Sequence, residues 1–259
     1  MDINILRVWS IAKNGFREVI RDRILYFIGF FVLLQLFALR FLPEISVSTQ
    51  DKILLDLGLG AIEILAAIVA IFVGTGLINK EIEKRTVLVL IPKPISRAEL
   101  IIGKHLGLSA VLVVMVALMS AIYLVLLSWS GISYPLNSIL ISLVYLLIEL
   151  ALLIAVAILF GVFTSSILAT LLSFGIYLMG NASSELVKLG KIAKNESVEF
   201  LAQVIYLVLP DLSRFNLKND AVYASLPDLS QLLGNAFYGL LYTALLLTIS
   251  IAVFSRREF

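Results

Sequence analysis

The sequence predicts an all-α polytopic membrane protein, and three observations support this class. Of its 259 residues, 61% are hydrophobic and 15% are charged, whereas soluble domains average about 45–50% apolar and about 25% charged residues. The mean hydropathy is +1.05. The apolar residues form continuous runs, not the period-two alternation of a membrane β-barrel. These observations exclude a soluble enzyme, a disordered regulator and a nucleic-acid-binding domain.

Six apolar stretches are predicted to be transmembrane helices, because a spanning helix needs roughly 20 mostly apolar residues. They cover residues 24–42, 57–79, 105–130, 135–163, 166–181 and 232–254. The fifth is the shortest. No internal repeat or soluble domain is visible, so residues 1–259 are treated as a single transmembrane domain.

The distribution of basic residues predicts that both termini are cytoplasmic. With six spans and this orientation, thirteen of the 20 lysines and arginines fall on the inner side and seven on the outer side. The excess agrees with the positive-inside rule. A seventh span would leave Arg256 and Arg257 on the outer side.

Residues 1–23 are predicted to form an amphipathic helix at the inner membrane interface, in contact with membrane lipids. Its apolar face consists of Ile5, Trp9, Ala12, Phe16, Val19 and Ile20, and its polar face of Arg7, Ser10, Asn14, Arg17 and Arg21. The spacing of three and four residues is that of a helix face. Two interpretations remain open: a positively charged membrane anchor, or a helix that also contacts a cytoplasmic partner.

The segment 80–104 is predicted to be the largest cytoplasmic loop. Pro92 and Pro94 interrupt any helix. Ser96 followed by Glu99 forms a capping-box pattern, so a helix over 97–104 is expected to run into the third span. The apolar stretch 86–91 inside this charged loop fits either a docking surface or a solvated connection.

The outer segment 182–231 is predicted to contain short extracytoplasmic helices between the fifth and sixth spans. Residues 184–194 have a helical pattern, and residues 199–209 are apolar but too short to cross a bilayer. An interfacial or re-entrant arrangement of this segment is expected. The segment is also a possible contact for an outer partner.

No catalytic, cofactor-binding or metal-binding residue is predicted. Position 98 is Ala and position 105 is His around the Gly103–Lys104 pair, so the sequence G-x-x-x-x-G-K-[ST] is not present there. The chain has one histidine and no cysteine, which excludes paired-histidine and thiolate metal sites. ATP with Mg²⁺ would therefore have to be bound by another chain.

Polar residues inside the predicted spans are candidates for function because they are costly to bury in a membrane. They are Gln35, Arg40, Glu63 and Glu149. Arg40 and Glu63 lie toward the outer ends of adjacent spans, where a structural ion pair or snorkelling explains them and a transport role is the alternative. Glu149 has no evident partner, and packing, substrate contact and a pathway role stay open. Gly103 and Gly107 have the G-x-x-x-G spacing that permits close helix contact, most simply within the subunit.

The loop after the second span resembles that of type-2 ATP-binding-cassette (ABC) permeases. The pattern E-x-E-K-R-T-x-x-x-L-x-x-x-P-x-S-R-x-E-L-x-x-G-K is carried by Glu81, Glu83, Lys84, Arg85, Thr86, Leu90, Pro94, Ser96, Arg97, Glu99, Leu100, Gly103 and Lys104. The amphipathic start, the six spans and the long outer segment are similar too. The chain is most similar to stand-alone bacterial permeases, including that of the nitrous-oxide-reductase maturation system. Lys93 departs from the common pattern.

This resemblance implies a permease subunit of an exporter in the bacterial cytoplasmic (inner) membrane. Two copies, as a homodimer, would pair with a dimer of separate cytoplasmic ATPase subunits, and this chain would itself be non-catalytic. A coupling helix near 81–97 would contact the ATPase through residues including Glu81, Glu83, Lys84, Arg85, Thr86, Pro94, Ser96, Arg97 and Glu99. It would also place Glu149 away from the transport pathway.

Two alternatives stay open at this stage. A permease-like subunit could pass ATP-driven motion to an outer partner at residues 182–231 without moving a solute. An unrelated scaffold or secondary transporter is the other, although the inverted repeats and broken helices of secondary transporters are not evident.

Overall fold

The computed structural model describes residues 4–22, 24–45, 50–83, 96–192 and 196–256, and within them it contains helices and no strand. The α-helices are α1 (Ile5–Asp22), α2 (Ile24–Ile45), α3 (Gln50–Glu83), α4 (Arg97–Trp129), α5 (Leu136–Phe163), α6 (Ser166–Asn181), α7 (Ser183–Ile192), α8 (Glu196–Val208), α9 (Lys218–Val222) and α10 (Leu229–Arg256). A 3₁₀ turn covers Leu212–Arg214. The all-helical prediction is confirmed for these residues.

Five helices in the described residues are long and apolar enough to cross a membrane, namely α2, α3, α4, α5 and α10. The protein is therefore a multi-pass membrane protein by the length and composition of its helices. Helix α6 has 16 residues, which corresponds to about 24 Å at 1.5 Å per residue. That is shorter than the roughly 30 Å hydrocarbon core, so a sixth span at α6 stays a prediction.

Several helices extend beyond the predicted spans. Helix α3 begins at Gln50 and ends at Glu83, whereas the apolar run covers only 57–79. Helix α4 begins at Arg97 and continues through the predicted third span at 105–130, as the capping-box pattern predicted. The apolar run shows which residues can lie in the hydrocarbon core of the bilayer. The helix itself can continue into polar residues until a cap or a proline ends it.

Helix α5 lies at the centre of the bundle and packs against α3, α4, α6, α9 and α10. Its middle is buried on every side, with Leu152, Leu153, Ile154 and Ala155 fully enclosed. An all-round apolar sequence is typical of a helix surrounded by others. Helix α3 approaches it closely at Gly74, where an added Cβ would lie 2.9 Å from the Cβ of Ala157.

The N-terminal helix α1 packs against the start of α4 through two glycines. A Cβ at Gly103 would lie 2.7 Å from the Cβ of Ile11, and one at Gly107 would lie 2.7 Å from the carbonyl oxygen of Ala12. The G-x-x-x-G pair thus serves packing within the subunit, as the sequence predicted. It lets the backbones of α1 and α4 come together.

The face of α1 that packs is only partly the predicted apolar face. Val8, Ala12 and Val19 are buried, and Val8 was not among the predicted residues. Ile5 and Trp9 are 81% and 68% exposed, although both were. The reason is that the two glycines of α4 allow the side of α1 with Val8 and Ala12 to pack closely. Ile5 and Trp9 then lie on the outside of the bundle, where they can contact the membrane or a partner.

The buried carboxylate of Asp211 connects parts of the outer segment to one another, and the Asp211 backbone connects the segment to the bundle. Its Oδ1 accepts hydrogen bonds at 2.6 Å from the hydroxyls of Ser183 and Ser213, and its Oδ2 accepts from Arg214 Nε at 3.0 Å. The backbone N–H of Asp211 donates to the Tyr238 hydroxyl on α10 at 3.0 Å. Burial raises the pKa of Asp211, but these hydrogen bonds and Arg214 outweigh it and hold the pKa below its ordinary value.

Candidate functional site

The start of α4 lies beside the start of α1 and the end of α10. Glu99 connects the starts of α4 and α1. Its Oε2 accepts the backbone N–H of Ser96 at 2.7 Å, while the Ser96 hydroxyl accepts the backbone N–H of Glu99 at 3.1 Å. The predicted capping box is therefore present. The other carboxylate oxygen of Glu99 accepts the backbone N–H of Asn4 at 2.8 Å, immediately before α1. One buried carboxylate thus caps α4 and fixes the start of α1.

Arg97 joins α4 to the end of α10. Its Nη1 donates to the carbonyl oxygen of Ser255 at 2.7 Å and also to that of Phe254. The guanidinium carbon lies 5.7 Å from the centre of the Phe254 ring, within the range of a cation–π contact. The last carbonyl groups of a helix need outside donors, and Arg97 supplies them. We call Ser96, Arg97 and Glu99, with Asn4 and Phe254, the helix junction.

The helix junction contains three of the nine predicted ATPase-coupling residues. Glu81 and Glu83 lie in the last turn of α3, where the structure describes the backbone only. The other four, Lys84, Arg85, Thr86 and Pro94, lie outside the described residues. The predicted coupling loop is therefore flanked by the end of α3 on one side and by the helix junction on the other.

A second polar constellation lies between α3, α5 and α6. Glu149 is 1% exposed, and its Oε1 accepts a hydrogen bond from Asn181 Nδ2 at 3.0 Å. The same Nδ2 donates to the carbonyl oxygen of Tyr177 at 3.2 Å. The partner that the sequence did not reveal for Glu149 is thus the last residue of α6.

Glu63 belongs to the same constellation and has a cationic neighbour. Its Oε1 lies 3.5 Å from the Tyr177 hydroxyl and 3.4 Å from Asn216 Nδ2. Its Oε2 lies 3.8 Å from Lys218 Nζ, and the same Nζ is 3.8 Å from Oδ1 of Asp56. We call Glu63, Glu149, Tyr177, Asn181, Asn216 and Lys218 the polar cluster.

The other predicted intramembrane candidates lie on α2. Gln35 is buried, and its Nε2 has no hydrogen-bond partner among the described residues. Arg40 has an exposed side chain. Gln35 and Arg40 are not members of the polar cluster. His105 is buried too, with Nε2 2.9 Å from the carbonyl oxygen of Ala151 on α5, so it packs between two helices.

Four residues of the polar cluster were not predicted, namely Tyr177, Asn181, Asn216 and Lys218. Asn181 carries the only available signal, since it is an amide at the end of an apolar run. Asn216 is 153 positions from Glu63 in the chain, and Lys218 lies in the outer segment. Such distances in sequence carry no periodic pattern that could have linked these side chains.

A sequence model of the family described as ABC-2 family transporter protein matches residues 9–259. The chain therefore belongs to the ABC-2 transporter family. No curated protein matches it. As a member of this family, the chain is an ABC transporter permease that lies in a membrane through several apolar helices. The family implies a partner ABC ATPase.

Proposed function

We propose that the chain is the non-catalytic permease subunit of an ABC exporter in a bacterial cytoplasmic membrane. Two copies form a homodimer, both termini are cytoplasmic, and a dimer of separate ATPase chains binds and hydrolyses ATP–Mg²⁺. The segment 81–97 forms the coupling helix that contacts the ATPase. The observation that carries this proposal is the helix junction, because it connects the end of the coupling segment to α1 and α10 at once.

A contact that passes force needs stiff connections to the elements it moves. Glu99 holds the start of α1 and Arg97 holds the last turn of α10. Both residues belong to the first turn of α4, a helix of 33 residues. A displacement of the coupling segment would therefore shift three helices together, as a rigid-body rearrangement requires.

A second function is supported by the outer segment. The Asp211 hydrogen bonds connect α7 and the 3₁₀ turn, and the Asp211 backbone connects both to α10. A motion of the bundle would therefore reach residues 182–231. In this alternative the chain passes motion to an outer partner and moves no solute, which the resemblance to the permease of nitrous-oxide-reductase maturation also suggests.

The test is co-purification of the chain with the ATPase encoded nearest to it, followed by reconstitution in liposomes. Complex formation and ATP hydrolysis are measured for the wild type, Glu83→Ala and Arg97→Ala. Lys188→Ala is the control, because Lys188 is a cation on the outer segment whose side chain is 66% exposed. We expect a stable complex, with ATP hydrolysis uncoupled in Glu83→Ala and Arg97→Ala but unchanged in Lys188→Ala.

Failure of the chain to associate with this or any other cellular ATPase would overturn both functions and leave a scaffold or a secondary transporter. ATP-dependent movement of a solute would separate the exporter from the motion-transmitting alternative. Association without solute movement, together with an ATP-dependent change in cleavage of residues 182–231 by added protease, would favour that alternative.

A further inference from the structure

All members of the polar cluster except Glu149 line one end of a cavity of about 390 Å³ between α3 and α6. Its apolar wall consists of Ile64, Ala67, Ile68, Ile71, Phe174 and Leu178. Ala67 and Ile71 are buried at its base, whereas Ile64, Phe174 and Leu178 are exposed at its rim. The volume is within the range of small-molecule sites, about 300–1,000 Å³, and the cavity has one polar end and an apolar length.

The polar end contains one buried hydrogen-bond acceptor that has no donor among the described residues. Asn181 uses its Nδ2 for Glu149 and for the carbonyl oxygen of Tyr177. Both partners are oxygen atoms, and the carbonyl can only accept, so the amide orientation is fixed by the network. Its Oδ1 is buried and has no partner among the described residues. A buried acceptor left alone is costly, so Asn181 gains from any donor that its amide can turn to meet.

The charge balance at the same end favours a cation. Lys218 Nζ lies 3.8 Å from both the Asp56 and the Glu63 carboxylates. One ammonium group therefore forms long ion pairs with two carboxylates. The side chain of Glu63 is only 13% exposed, and little water reaches it. An additional positive group near Glu63 would complete the pairing.

We propose that this cavity binds a small single-chain amphiphile with a protonated amine head. The amine donates to the Glu63 carboxylate, and the apolar chain lies along Ala67 and Ile71 toward the rim at Leu178. As the substrate class of the permease, this inference rests on the proposed function. Binding itself needs neither ATP nor the ATPase.

The test measures binding of n-decylamine to the full-length chain in phosphatidylcholine nanodiscs by titration calorimetry, with partition into empty nanodiscs subtracted. n-Decanol and decanoate, which have the same apolar chain, are the matched probes. The variants are Glu63→Gln and Leu178→Trp. Glu63→Gln removes the negative charge at the polar end, and Leu178→Trp places a bulky ring at the exposed rim of the cavity. Glu185→Gln is the control, because Glu185 is an exposed carboxylate on the outer segment.

We expect decylamine to bind more tightly than decanol, and decanoate to bind least. Glu63→Gln should weaken decylamine binding roughly tenfold, because glutamine keeps an acceptor oxygen but lacks the negative charge that pairs with the ammonium, and should leave decanol binding unchanged. Leu178→Trp should weaken the binding of decylamine and of decanol to the same extent. Glu185→Gln should change the binding of neither probe. Leu178 is exposed, so this variant tests the cavity without disturbing the core.

Equal affinity of decylamine and decanoate, or equal affinity in the wild type and Glu63→Gln, would overturn the proposal. Loss of decylamine binding in nanodiscs that contain phosphatidylethanolamine would also overturn it and assign the cavity to membrane lipid. Decylamine binding by a chain that does not associate with an ATPase would contradict the proposed function alone, so the two failures can be told apart.

Discussion

The Glu99 carboxylate accepts the backbone N–H of Asn4 across 95 positions of the chain, at 2.8 Å. The same side chain closes the capping box with Ser96. Helices α1 and α4 therefore share one charged cap, at the place where the proposed coupling segment would join the bundle. Loss of this carboxylate removes hydrogen bonds from two helix starts at once.

Glu99→Ala should lower the melting temperature of the protein, through the lost cap and the lost charged hydrogen bonds. Glu99→Gln should have a smaller effect, because glutamine also completes a capping box. Thermal melting of the purified chain measures both. Glu18→Ala is the control, since Glu18 is exposed on α1. Equal melting of Glu99→Ala and Glu18→Ala would contradict the shared cap.

Gly107→Ala should displace α1 from α4. The new Cβ would lie 2.7 Å from the carbonyl oxygen and 3.2 Å from the Cα of Ala12, and backbone atoms cannot move aside as a flexible side chain can. We expect Gly107→Ala to lower the free energy of unfolding by about 1–3 kcal/mol, which is typical of an overpacked contact.

Gly15→Ala is the matched control on the facing helix, since its Cβ would have Lys104 Cδ as nearest neighbour at 4.0 Å. We expect it to be neutral or to stabilise by up to about 1 kcal/mol through helix propensity. The chain has no cysteine, so a single cysteine at Ala12 reports α1 release by its labelling rate. Equally slow labelling in both glycine variants would show that the contact tolerates a methyl group.

Glu149→Leu should destabilise the bundle by roughly 1–3 kcal/mol, because Asn181 Nδ2 would lose one of its two buried acceptors. Glu149→Gln should be close to neutral, since the amide oxygen of glutamine still accepts from Asn181. The comparison is made by thermal melting in detergent. If the leucine and glutamine variants melt alike, the hydrogen bond contributes nothing and Glu149 is retained for another reason.

Asp211 should make the outer segment sensitive to acid. Its pKa is held below the ordinary value in the folded protein, so its stabilisation is fully present above the unfolded pKa of about 3.9. It is lost as the pH falls through the lower folded pKa. Asp211→Asn should therefore destabilise the protein by roughly 1–3 kcal/mol at pH 7.

Below about pH 4, the difference between the wild type and Asp211→Asn should shrink. Melting temperatures across pH, combined with proteolysis of residues 182–231, measure this. Asp228→Asn is the control, because Asp228 is exposed and asparagine keeps a capping side chain. A difference that stays constant down to pH 3 would mean that the Asp211 charge does not stabilise the segment.

How far the sequence could predict each site depended on distance along the chain. The capping box was predictable because Ser96 and Glu99 are three positions apart and the contact is fixed by helix geometry. The G-x-x-x-G pair at Gly103 and Gly107 was predictable for the same reason, though not its partner. The link from Glu99 to Asn4 spans 95 positions, and no local rule connects them.

The polar cluster shows the same division. Glu63 and Glu149 stood out because a carboxyl group in an apolar run is costly wherever the helix packs. Asn181 and Lys218 could not be linked to them, since their proximity depends on how α6 and the outer segment fold back on α3 and α5. The cavity beside them is likewise a property of packing, because it exists only between two helices.

The sequence by itself determined that this chain is helical and lies in a membrane, because backbone groups in a bilayer must be satisfied within each apolar segment. It also determined the capping box, which needs only one helical turn. The tertiary structure alone decided which face of α1 packs, which cation lies beside Glu63 and which amide meets Glu149. In a bundle where most side chains are apolar, those choices follow from the shape of facing helices, which composition does not encode.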